Sequence, residues 1–354
     1  MITASTTESK LQLGAPSRPG YEACTGCRVC VLPCPVWITT RDNALTLQGR
    51  AISLKNGAAL TEVAASVDAC VLCGACEPVC PEGIDTVGMT LDLRLALHQD
   101  LEESTGRGYG GPANPLVARA RSLIDAWTPA SNNHHSAKPL LLVGPGYDDR
   151  TDLIDLIACL LGNGEPISVA GDDGRDLSWA REAGIPLQPK RVETFLGGLN
   201  GRSEVVLADG LLLRELKIWR PKISAVSLGE ALLRRKDVRS RLRSTDLLII
   251  ESRAYHAGGR RCTRFYTKLR ESSGCETNLD LQRTAMATGW TALNGPTAKG
   301  STLNQNDQLT WIMRQSKPQR IVVESIADLQ AFENFEEAAE IEVLHLAQIG
   351  ETSQ

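Results

Sequence analysis

Two stretches with the same cysteine spacing decide the fold of the N-terminal part of this chain. Residues 24–35 read CTGCRVCVLPCP, and residues 70–81 read CVLCGACEPVCP. In each stretch the gaps between successive cysteines hold two, two and three residues, and a proline follows the fourth cysteine. Three closely spaced thiolates wrap one side of an iron–sulfur cubane, and the fourth ligand must come from elsewhere in the chain.

This spacing predicts two 4Fe–4S clusters with exchanged ligands. In two-cluster ferredoxins the fourth cysteine of each run binds the other cluster. Structural zinc is the alternative, but zinc sites are usually closed by two C-x-x-C pairs, which leaves the third cysteine and the Cys-Pro step unexplained. The predicted ligand sets are Cys24, Cys27, Cys30 and Cys80 for one cluster, and Cys70, Cys73, Cys76 and Cys34 for the other.

The composition of the 354-residue chain excludes several classes of protein. The net charge of −4 predicts no nucleic-acid binding, and the longest apolar run, LIDLIACLLG, is too short to span a bilayer directly. Eight of the eleven cysteines lie in the two runs, and the N-terminus has no apolar signal core. We therefore expect metal binding in a reducing cytoplasm instead of disulfides, with membrane attachment through a partner left open.

The pattern of apolar residues predicts an α+β protein. Helical spacing around the cysteine runs indicates a mainly helical cluster domain, and alternating strands and helices further on indicate an α/β domain with a mainly parallel sheet. Two similar strand–helix series within that domain indicate two repeated halves. The predicted segments are a disordered tail (1–20), a two-cluster ferredoxin-like domain (21–100), a linker with a short helix (101–137) and the α/β domain (138–354, with halves of about 138–240 and 241–354).

Both predicted domains resemble known iron–sulfur families. Residues 21–100 resemble the dicluster domain found in the iron–sulfur subunits of glycolate oxidase and of anaerobic glycerol-3-phosphate dehydrogenase, in the lactate-utilisation iron–sulfur protein and in heterodisulfide reductase. GRAISLKNG (49–57) and CVLCGACEPVCPEGI (70–84) carry this resemblance. The α/β domain resembles the cysteine-rich CCG domain that follows in the same families. There each half supplies cysteine ligands, which hold catalytic noncubane clusters in heterodisulfide reductases.

The chain departs from the CCG pattern at the positions of those ligands. Pro145 stands where the family often has cysteine, and the two Cys-Cys-Gly positions correspond to Asp172–Gly174 and Ala287–Gly289. The Cys-x-x-Cys positions fall near ADGL (208–211) and ESIAD (324–328). The resemblance therefore implies a degenerate CCG domain that has kept the scaffold and lost the cluster ligands.

Only three cysteines follow the second run, and each has an ordinary explanation. Cys159 lies on the apolar face of a predicted helix, and Cys275 follows a glycine in a loop. Cys262 follows two arginines and is predicted as an inert thiol; the alternative is a reactive thiol, since nearby positive charge lowers the pKa of a cysteine. His256, in YHAGG, is predicted either as a structural histidine or as a residual site residue.

Further candidates concern polar and charged stretches. His134 and His135 are predicted as a solvated loop, with metal binding as the alternative. The basic stretch 234–243, RRKDVRSRLR, is predicted as a solvated helix face, with a docking patch for an acidic partner as the alternative. GPGYDD (144–149) is an unfavourable phosphate loop, because Asp148 and Asp149 would repel an anion.

These observations favour an electron-transfer subunit over two other functions. The resemblance implies a flavoprotein or another oxidoreductase subunit on one side, and an acceptor protein or a quinone-linked subunit on the other. A redox enzyme would instead use a remodelled site in the α/β domain, with Cys262, His256, Asp172 and Asp173. The third hypothesis is a scaffold or redox sensor whose clusters carry no electron flux.

Overall fold

The computed structural model describes residues 19–105, 114–130, 138–280, 283–291, 293, 303–314 and 316–351. Residues 1–18, which make up most of the predicted tail, and the pair His134 and His135 lie outside the described residues.

The cysteine-containing part is mainly helical, as predicted. Pro35 is the first residue of one helix, where its fixed φ favours helix and its missing N–H costs no hydrogen bond. Thr46 caps another by accepting a hydrogen bond from the Gly49 N–H. The helices are α1 (Pro35–Thr40), α2 (Leu47–Lys55), α3 (Ala64–Ala69) and α4 (Thr86–Thr105), with 3₁₀ turns at Tyr21–Ala23, Val29–Val31, Asn43–Leu45 and Leu60–Val63.

Helix α5 (Pro115–Ala126) lies between the cysteine part and the first strand. Its N-terminus is capped by Asn114, whose Oδ1 accepts hydrogen bonds from the N–H groups of Leu116 and Val117 at 3.0 and 3.2 Å. Val117 and Ala120 on its apolar face are fully buried. This short helix is thus packed against the body of the protein.

The C-terminal part is built from strands and helices in alternation, which confirms the predicted α/β arrangement. The first half contains β1 (Leu140–Leu142), α6 (Thr151–Leu161), β2 (Ser168–Val169), α7 (Arg175–Ala183), α8 (Pro189–Gly198), β3 (Val205–Leu207), α9 (Gly210–Trp219), β4 (Ala225–Ser227), α10 (Leu228–Arg234) and α11 (Lys236–Arg239). The second half contains β5 (Asp246–Ile249), α12 (Ser252–Ser273), β6 (Glu276–Thr277), β7 (Leu279–Asp280), β8 (Thr284–Ala285), α13 (Gln305–Met313), β9 (Arg320–Val323), α14 (Ile326–Glu333), β10 (Glu342–His345) and α15 (Leu346–Glu351).

The two halves share one topology. The first sheet has the order β2-β1-β3-β4 and the second has the order β6-β5-β9-β10, with every pairing parallel in both. Strands that occupy equivalent places also follow each other in the same order along the chain. The predicted duplication is therefore real, and it produces two sheets of four strands. An antiparallel ribbon of β7 and β8 is added in the second half alone.

The central strands are short runs of mainly apolar residues, because helices cover both faces of each sheet. All residues of β1, β3, β5 and β9 are buried, as expected for parallel strands with helices on both sides. A smaller apolar cluster joins the cysteine part to the second half: Val36, Val71 and Cys73 pack with Ala287 and Leu303. The helical part is consequently docked on the α/β part through a shared core.

Candidate iron–sulfur centre

The two cysteine loops, residues 24–30 and 70–76, have the same backbone path. Their first cysteines have nearly the same conformation, with φ −64° and ψ 122° at Cys24 and φ −72° and ψ 122° at Cys70. In each loop the second and fourth residues after that cysteine have positive φ, at Gly26 and Arg28 and at Leu72 and Gly74. Left-handed residues alternating with right-handed ones turn successive N–H groups toward one point, which is the geometry of anion and iron–sulfur sites.

This conformation is imposed on side chains that disfavour it. Arg28 and Leu72 have φ of 63° and 56°, and the left-handed region costs a non-glycine residue roughly 1–2 kcal/mol. Of the two left-handed residues in each loop, the first is glycine in residues 24–30 and the second is glycine in residues 70–76. The backbone conformation is therefore repeated at positions where the residue type is not. Such strain is retained where a site requires the loop shape.

The structure brings the predicted ligands together from both runs. Three cysteines of the first run line one cavity with Cys80 of the second run: Cys24, Cys27 and Cys30. The remaining four cysteines are also neighbours, because the charges of Cys73, Cys70 and Cys34 all raise the pKa of Cys76. We call Cys24, Cys27, Cys30 and Cys80 the outer set, and Cys34, Cys70, Cys73 and Cys76 the inner set; residues 24–30 are the outer loop and residues 70–76 the inner loop. Cys34 also lies near Cys30, so the two sets are neighbours.

Burial controls the ionisation of most of these thiols. It raises the pKa of Cys30 and Cys73 to about 12 and that of Cys34 to about 11, with the charges of neighbouring cysteines adding to the effect. Burial also opposes ionisation of Cys70, but the guanidinium groups of Arg50 and Arg94 outweigh it and lower the pKa of this thiol. Because iron binds the thiolate form, cluster assembly here must release protons.

Two buried cations beside Cys70 provide a test of whether an anionic group fits at the inner set. Arg50 is 2% exposed and Arg94 is 1% exposed. Within the described part of the chain their hydrogen bonds go to carbonyl and hydroxyl oxygens and, from Arg50, to the Cys70 thiol. No ion pair joins Arg50 to a carboxylate there, and the Glu182 carboxylate on which the charge of Arg94 acts is paired with Arg253. A buried charge without a counter-charge is strongly unfavourable. A thiolate-bound iron–sulfur cluster, which is anionic, supplies the missing charge, so the residues fit this group.

The donor arrangement fits a cluster better than a single ion. Each thiolate of a cubane binds a different iron atom, so the ligands surround a volume and do not converge on one point. Cys24, Cys27, Cys30 and Cys80 line one cavity and so surround a volume.

The two loops differ in their surroundings. Thr25, Cys27 and Arg28 of the outer loop are exposed, whereas every residue of the inner loop from Val71 to Ala75 is buried. Next to the outer set, Leu32 is 56% exposed and is one of two large apolar side chains exposed in the described part of the chain. The outer set thus lies at the surface, and the inner set lies beneath the α/β part.

Helices α9 and α12 cover the inner loop. Arg253 of α12 donates hydrogen bonds to the Val71 carbonyl at 2.8 and 3.2 Å and pairs with Glu182 at 2.8 Å. Arg214 of α9 forms ion pairs with Glu77 and Asp85, which follow the inner loop along the chain. These contacts tie the second cysteine run to both halves of the α/β part.

His256 belongs to this same contact. Its Nδ1–H donates to the Cys73 carbonyl at 2.8 Å, and burial lowers the pKa of the imidazole to about 4. The ring is consequently neutral and holds the inner loop in place. The sequence raised His256 as a candidate, but its contact with Cys73 becomes apparent only in the folded chain.

The reactive-thiol hypothesis for Cys262 is wrong. The residue is 1% exposed, and burial followed by the nearby Glu230 carboxylate raises the pKa of the thiol to about 12. Arg261, which was expected to lower the pKa, is paired with Glu230. Cys275 is also buried, with a raised pKa, and Cys159 is partly buried on α6.

The α/β part has a cavity of about 280 Å³ at the carboxyl ends of β1, β3, β5 and β9. It includes Pro145 and the segments 208–210, 287–289 and 325–328, which correspond to ligand positions of the CCG pattern, and the described residues around it include no cysteine. Burial raises the pKa of Glu251 to about 8 and that of Asp328 to about 6. Val71 of the inner loop lies at one side of this cavity.

Asp172 and Asp173 do not line that cavity and serve as ion-pair partners instead. Asp172 accepts hydrogen bonds from Arg191 at 2.7 and 2.8 Å, and Asp173 pairs with Arg175 at 2.8 Å. In the basic stretch 234–243, Arg234 pairs with Glu204 and Glu230, and Arg235 pairs with Asp237. Part of the positive charge of this stretch is therefore paired within the chain, which leaves less of it for the alternative of a docking patch.

Comparison with known proteins identifies the cysteine part. Residues 20–84 match the family description of a 4Fe-4S dicluster domain. These residues bind a 4Fe–4S centre and support an iron–sulfur electron-transfer role. No curated protein and no solved structure matches the chain. Among the described residues, the helices are all too short or too polar to cross a membrane.

Proposed function

We propose that this chain is an electron-transfer subunit that carries two 4Fe–4S clusters, one on the outer set and one on the inner set. The observation that supports it most strongly is the pair of loops with the same pattern of positive φ, the second of which lies beside the buried guanidinium groups of Arg50 and Arg94. When bound, the clusters supply one-electron redox chemistry. The chain positions the thiolates, excludes water from the inner loop and exposes the outer loop.

The proposed relay runs between an oxidoreductase partner and a downstream acceptor. The partner is a flavoprotein or another oxidoreductase subunit, and the acceptor is a protein or a quinone-linked subunit, in a cytoplasmic complex. The exposed outer loop gives a docked redox protein a short path to the outer set, and the position of Cys34 beside both sets continues that path inward. The α/β part then acts as a degenerate CCG-like platform that covers the inner set.

The test is anaerobic purification of the full chain with its native partners, followed by iron counting and electron paramagnetic resonance. About eight irons per chain and two magnetically coupled cubane signals are expected. A chain that contains zinc or a single cubane would contradict the proposal. Loss of electron flux in Cys30→Ser and Cys76→Ser chains separates the relay from a scaffold or sensor, whose function would persist without flux.

A redox enzyme is the second candidate, and one observation favours it. The 280 Å³ cavity contains Glu251 and Asp328, carboxyl groups with raised pKa, and reaches Val71 of the inner loop. The residues first considered for it are not assembled there, since Cys262 is buried elsewhere and Asp172 and Asp173 are paired with arginines. Reduction of the clusters by a small hydroxy acid or a thiol, with the chain alone, would support this candidate.

A further inference from the structure

The second segment of α12 is strongly basic. At Gly259 the helix is interrupted by a backbone conformation outside the helical range, with φ 53° and ψ −137°. The helical residues that follow, 260–273, have many more cations than carboxylates, whereas the whole chain has a net charge of −4. The positive charge of this segment is therefore a local feature and does not follow from the composition. The cations are Arg260, Arg261, Arg264, Lys268 and Arg270, and the carboxylate is Glu271.

Three of these cations form one stripe. Arg260, Arg264 and Lys268 follow each other at intervals of four residues, so they lie on the same face of the helix, and all three are exposed. Like charges at this spacing repel each other and make a helix slightly less stable. Arg283, which is also exposed, reaches the same helix, because its Nη1 donates to the Thr267 hydroxyl at 3.0 Å. We call Arg260, Arg264, Lys268 and Arg283 the basic face.

The charged neighbours of the basic face do not neutralise it. Among the described residues, no ion pair joins these four cations to a carboxylate, and the adjacent Arg261 pairs with Glu230. Glu271 lies three residues after Lys268, so the face has four cations against one carboxylate. Two further carboxylates and two further cations line the cavity beside β6 and balance each other: Glu276, Asp280, Arg270 and Arg314. The basic face therefore presents a surplus of positive charge to solvent.

A groove connects the basic face with the inner set. It has a volume of about 700 Å³, lies between α9 and α12, and includes Arg260 and Arg283 at one end. At the other end it includes Glu77, the residue that directly follows the inner loop. His256 also lines the groove, and it donates a hydrogen bond to the Cys73 carbonyl at 2.8 Å. The groove thus brings solvent, or a bound partner, close to the otherwise buried inner loop.

The charge varies along this groove. At the end beside the inner loop, Arg214 is shared by Glu77 and Asp85, with Asp92 nearby, so this end is negative. At the other end the groove has Lys217 and two members of the basic face, so that end is positive. An acidic surface is therefore attracted to α12 and repelled from the carboxylates, which orients a docked protein along the groove. A small anion would require donors that converge on one point, whereas these cations are spread along one side.

We propose that the basic face is the docking site of an acidic redox protein, which exchanges electrons with the inner set across this groove. One electron passes between the inner set and the redox centre of the partner, and no bond forms or breaks. The basic face then provides a second port of the relay, since the outer set is reached at the exposed outer loop. This inference rests on the proposed function, because it requires a cluster on the inner set.

The first experiment measures electron transfer from the full, anaerobically purified chain after reduction with dithionite. The acceptors are an acidic blue-copper protein and a basic c-type cytochrome. The test variant combines Arg264→Glu with Lys268→Glu, both at exposed positions where a carboxylate four residues from a cation supports the helix. The matched control combines Lys236→Glu with Arg243→Glu, which reverses two exposed charges in the basic stretch 234–243 and changes the net charge equally.

The two acceptors should respond in opposite directions. At low ionic strength we expect the test variant to reduce the rate with the acidic acceptor about tenfold and to leave the rate with the cytochrome equal or higher. The control should change either rate less than about twofold, and the difference should disappear near about 1 M salt, where charges are screened. An undiminished rate with the acidic acceptor in the test variant, or an equal loss in the control, would overturn the inference.

The second experiment does not depend on electron transfer. A carbodiimide joins carboxylates of the acidic blue-copper protein to lysine amines of the chain, and mass spectrometry locates the links. We expect links at Lys268 and at Lys217 in the groove; links confined to lysines elsewhere would overturn the docking site. Binding to vesicles of anionic lipid that is lost in the test variant, with unchanged transfer rates, would assign the face to a membrane surface and overturn the redox partner.

Iron counting on the same samples separates this inference from the function on which it rests. A chain with two cubanes whose transfer rates and links ignore the charges of α12 overturns the docking site alone. A chain with fewer than two cubanes overturns the proposed function, whatever the rates and links show.

Discussion

The outer and inner cysteine loops have one backbone shape and two environments. The outer loop has exposed residues at Thr25, Cys27 and Arg28, whereas the inner loop is buried from Val71 to Ala75 and contacts Arg253 and His256 of the α/β part. A repeated motif thus specifies how a cluster is held. The neighbours of each copy then decide whether that copy faces a partner or the interior.

The largest expected difference between the loops follows removal of one ligand from each. Cys76→Ser and Cys27→Ser should each lose about half of the iron. Cys76→Ser should also destabilise the fold by about 1–3 kcal/mol more, because Arg50 then loses the charge of the cluster and keeps only the Cys70 thiolate as an anionic partner. Iron counting and anaerobic thermal unfolding measure the two effects. Equal losses of stability would contradict the assigned role of the buried cations.

A glycine pair tests the difference in packing at constant backbone conformation. Gly26 and Gly74 both have φ of 77°. A Cβ at Gly74 would lie 2.9 Å from the His256 Cβ, whereas at Gly26 the nearest atom would be the Ile52 Cδ1 at 3.4 Å. Both Ala variants should lose about 1–2 kcal/mol through the left-handed conformation.

Gly74→Ala should lose a further 1–3 kcal/mol or so, because the inner loop must move away from α12. Chemical denaturation under anaerobic conditions measures the difference, and Gly26→Ala is the matched control. If Gly26→Ala is the more damaging change, the inner loop is not held as tightly against α12 as the structure indicates.

The pH dependence of stability concerns the α/β part. Burial raises the pKa of Glu324 and Glu251 to about 8, so the folded state binds protons there that the unfolded state has released. The contribution of these two carboxyl groups to the free energy of unfolding is therefore complete below about pH 4.3 and is lost as the pH rises to about 8. The buried histidines contribute a slope of opposite sign near pH 6.5, because burial lowers the pKa of His256 and His345 to about 4 while the unfolded state still binds protons there, and this slope fades above about pH 7.5. The same histidines are present in the variant below, so they cancel in its comparison with the unaltered chain.

Glu324→Gln should accordingly reduce the fall in unfolding free energy over pH 6.5–8, by up to about 1.4 kcal/mol per pH unit. The amide oxygen can accept from the Glu251 N–H in place of Oε2, at 3.0 Å in Glu324, and the amide NH₂ can donate to the Tyr266 hydroxyl in place of Oε1, at 2.7 Å. Denaturant unfolding at several pH values provides the measurement. An unchanged slope would show that this carboxyl ionises normally in the folded state.

The smallest expected effect is at the surface beside the outer set. Leu32→Ser should change the free energy of unfolding by less than about 0.5 kcal/mol, because the side chain is already 56% exposed. It should slow electron exchange with the native partner by weakening the docked complex. Val169→Ser, at a side chain that is 40% exposed on the edge strand β2, is the control. Equal slowing in both variants would argue against docking at the outer loop.

Local patterns predicted much of this architecture. The apolar runs of β1, β3, β5 and β9 and the intervening helices follow the expected order, because parallel strands covered on both faces must be apolar throughout. The duplication was recognisable for the same reason. The separation into two sheets and the ribbon of β7 and β8 depend on pairings between distant segments, which periodicity does not encode.

Sequence reasoning was weaker for the residues that surround the cysteines. Arg50 lies in GRAISLKNG, the stretch that carries the resemblance to the dicluster domain, and nothing local marks it as a buried cation. Cys262 shows the converse case: adjacent arginines suggested a lowered pKa as the alternative, but burial and Glu230 decided the outcome. The useful signal was an arginine at an otherwise apolar helix position, as Arg94 is between Leu93 and Leu95.

The cysteine spacing by itself determined the kind of centre, because three short gaps fix how thiolates are distributed around a cluster. The local periodicity of apolar residues determined the alternation of strands and helices further along the chain. Only the tertiary structure decided which loop is exposed, which arginines are buried beside Cys70, and that α12 closes over the inner loop. Burial and electrostatic environment arise from contacts between residues far apart in the chain, and no local spacing specifies them.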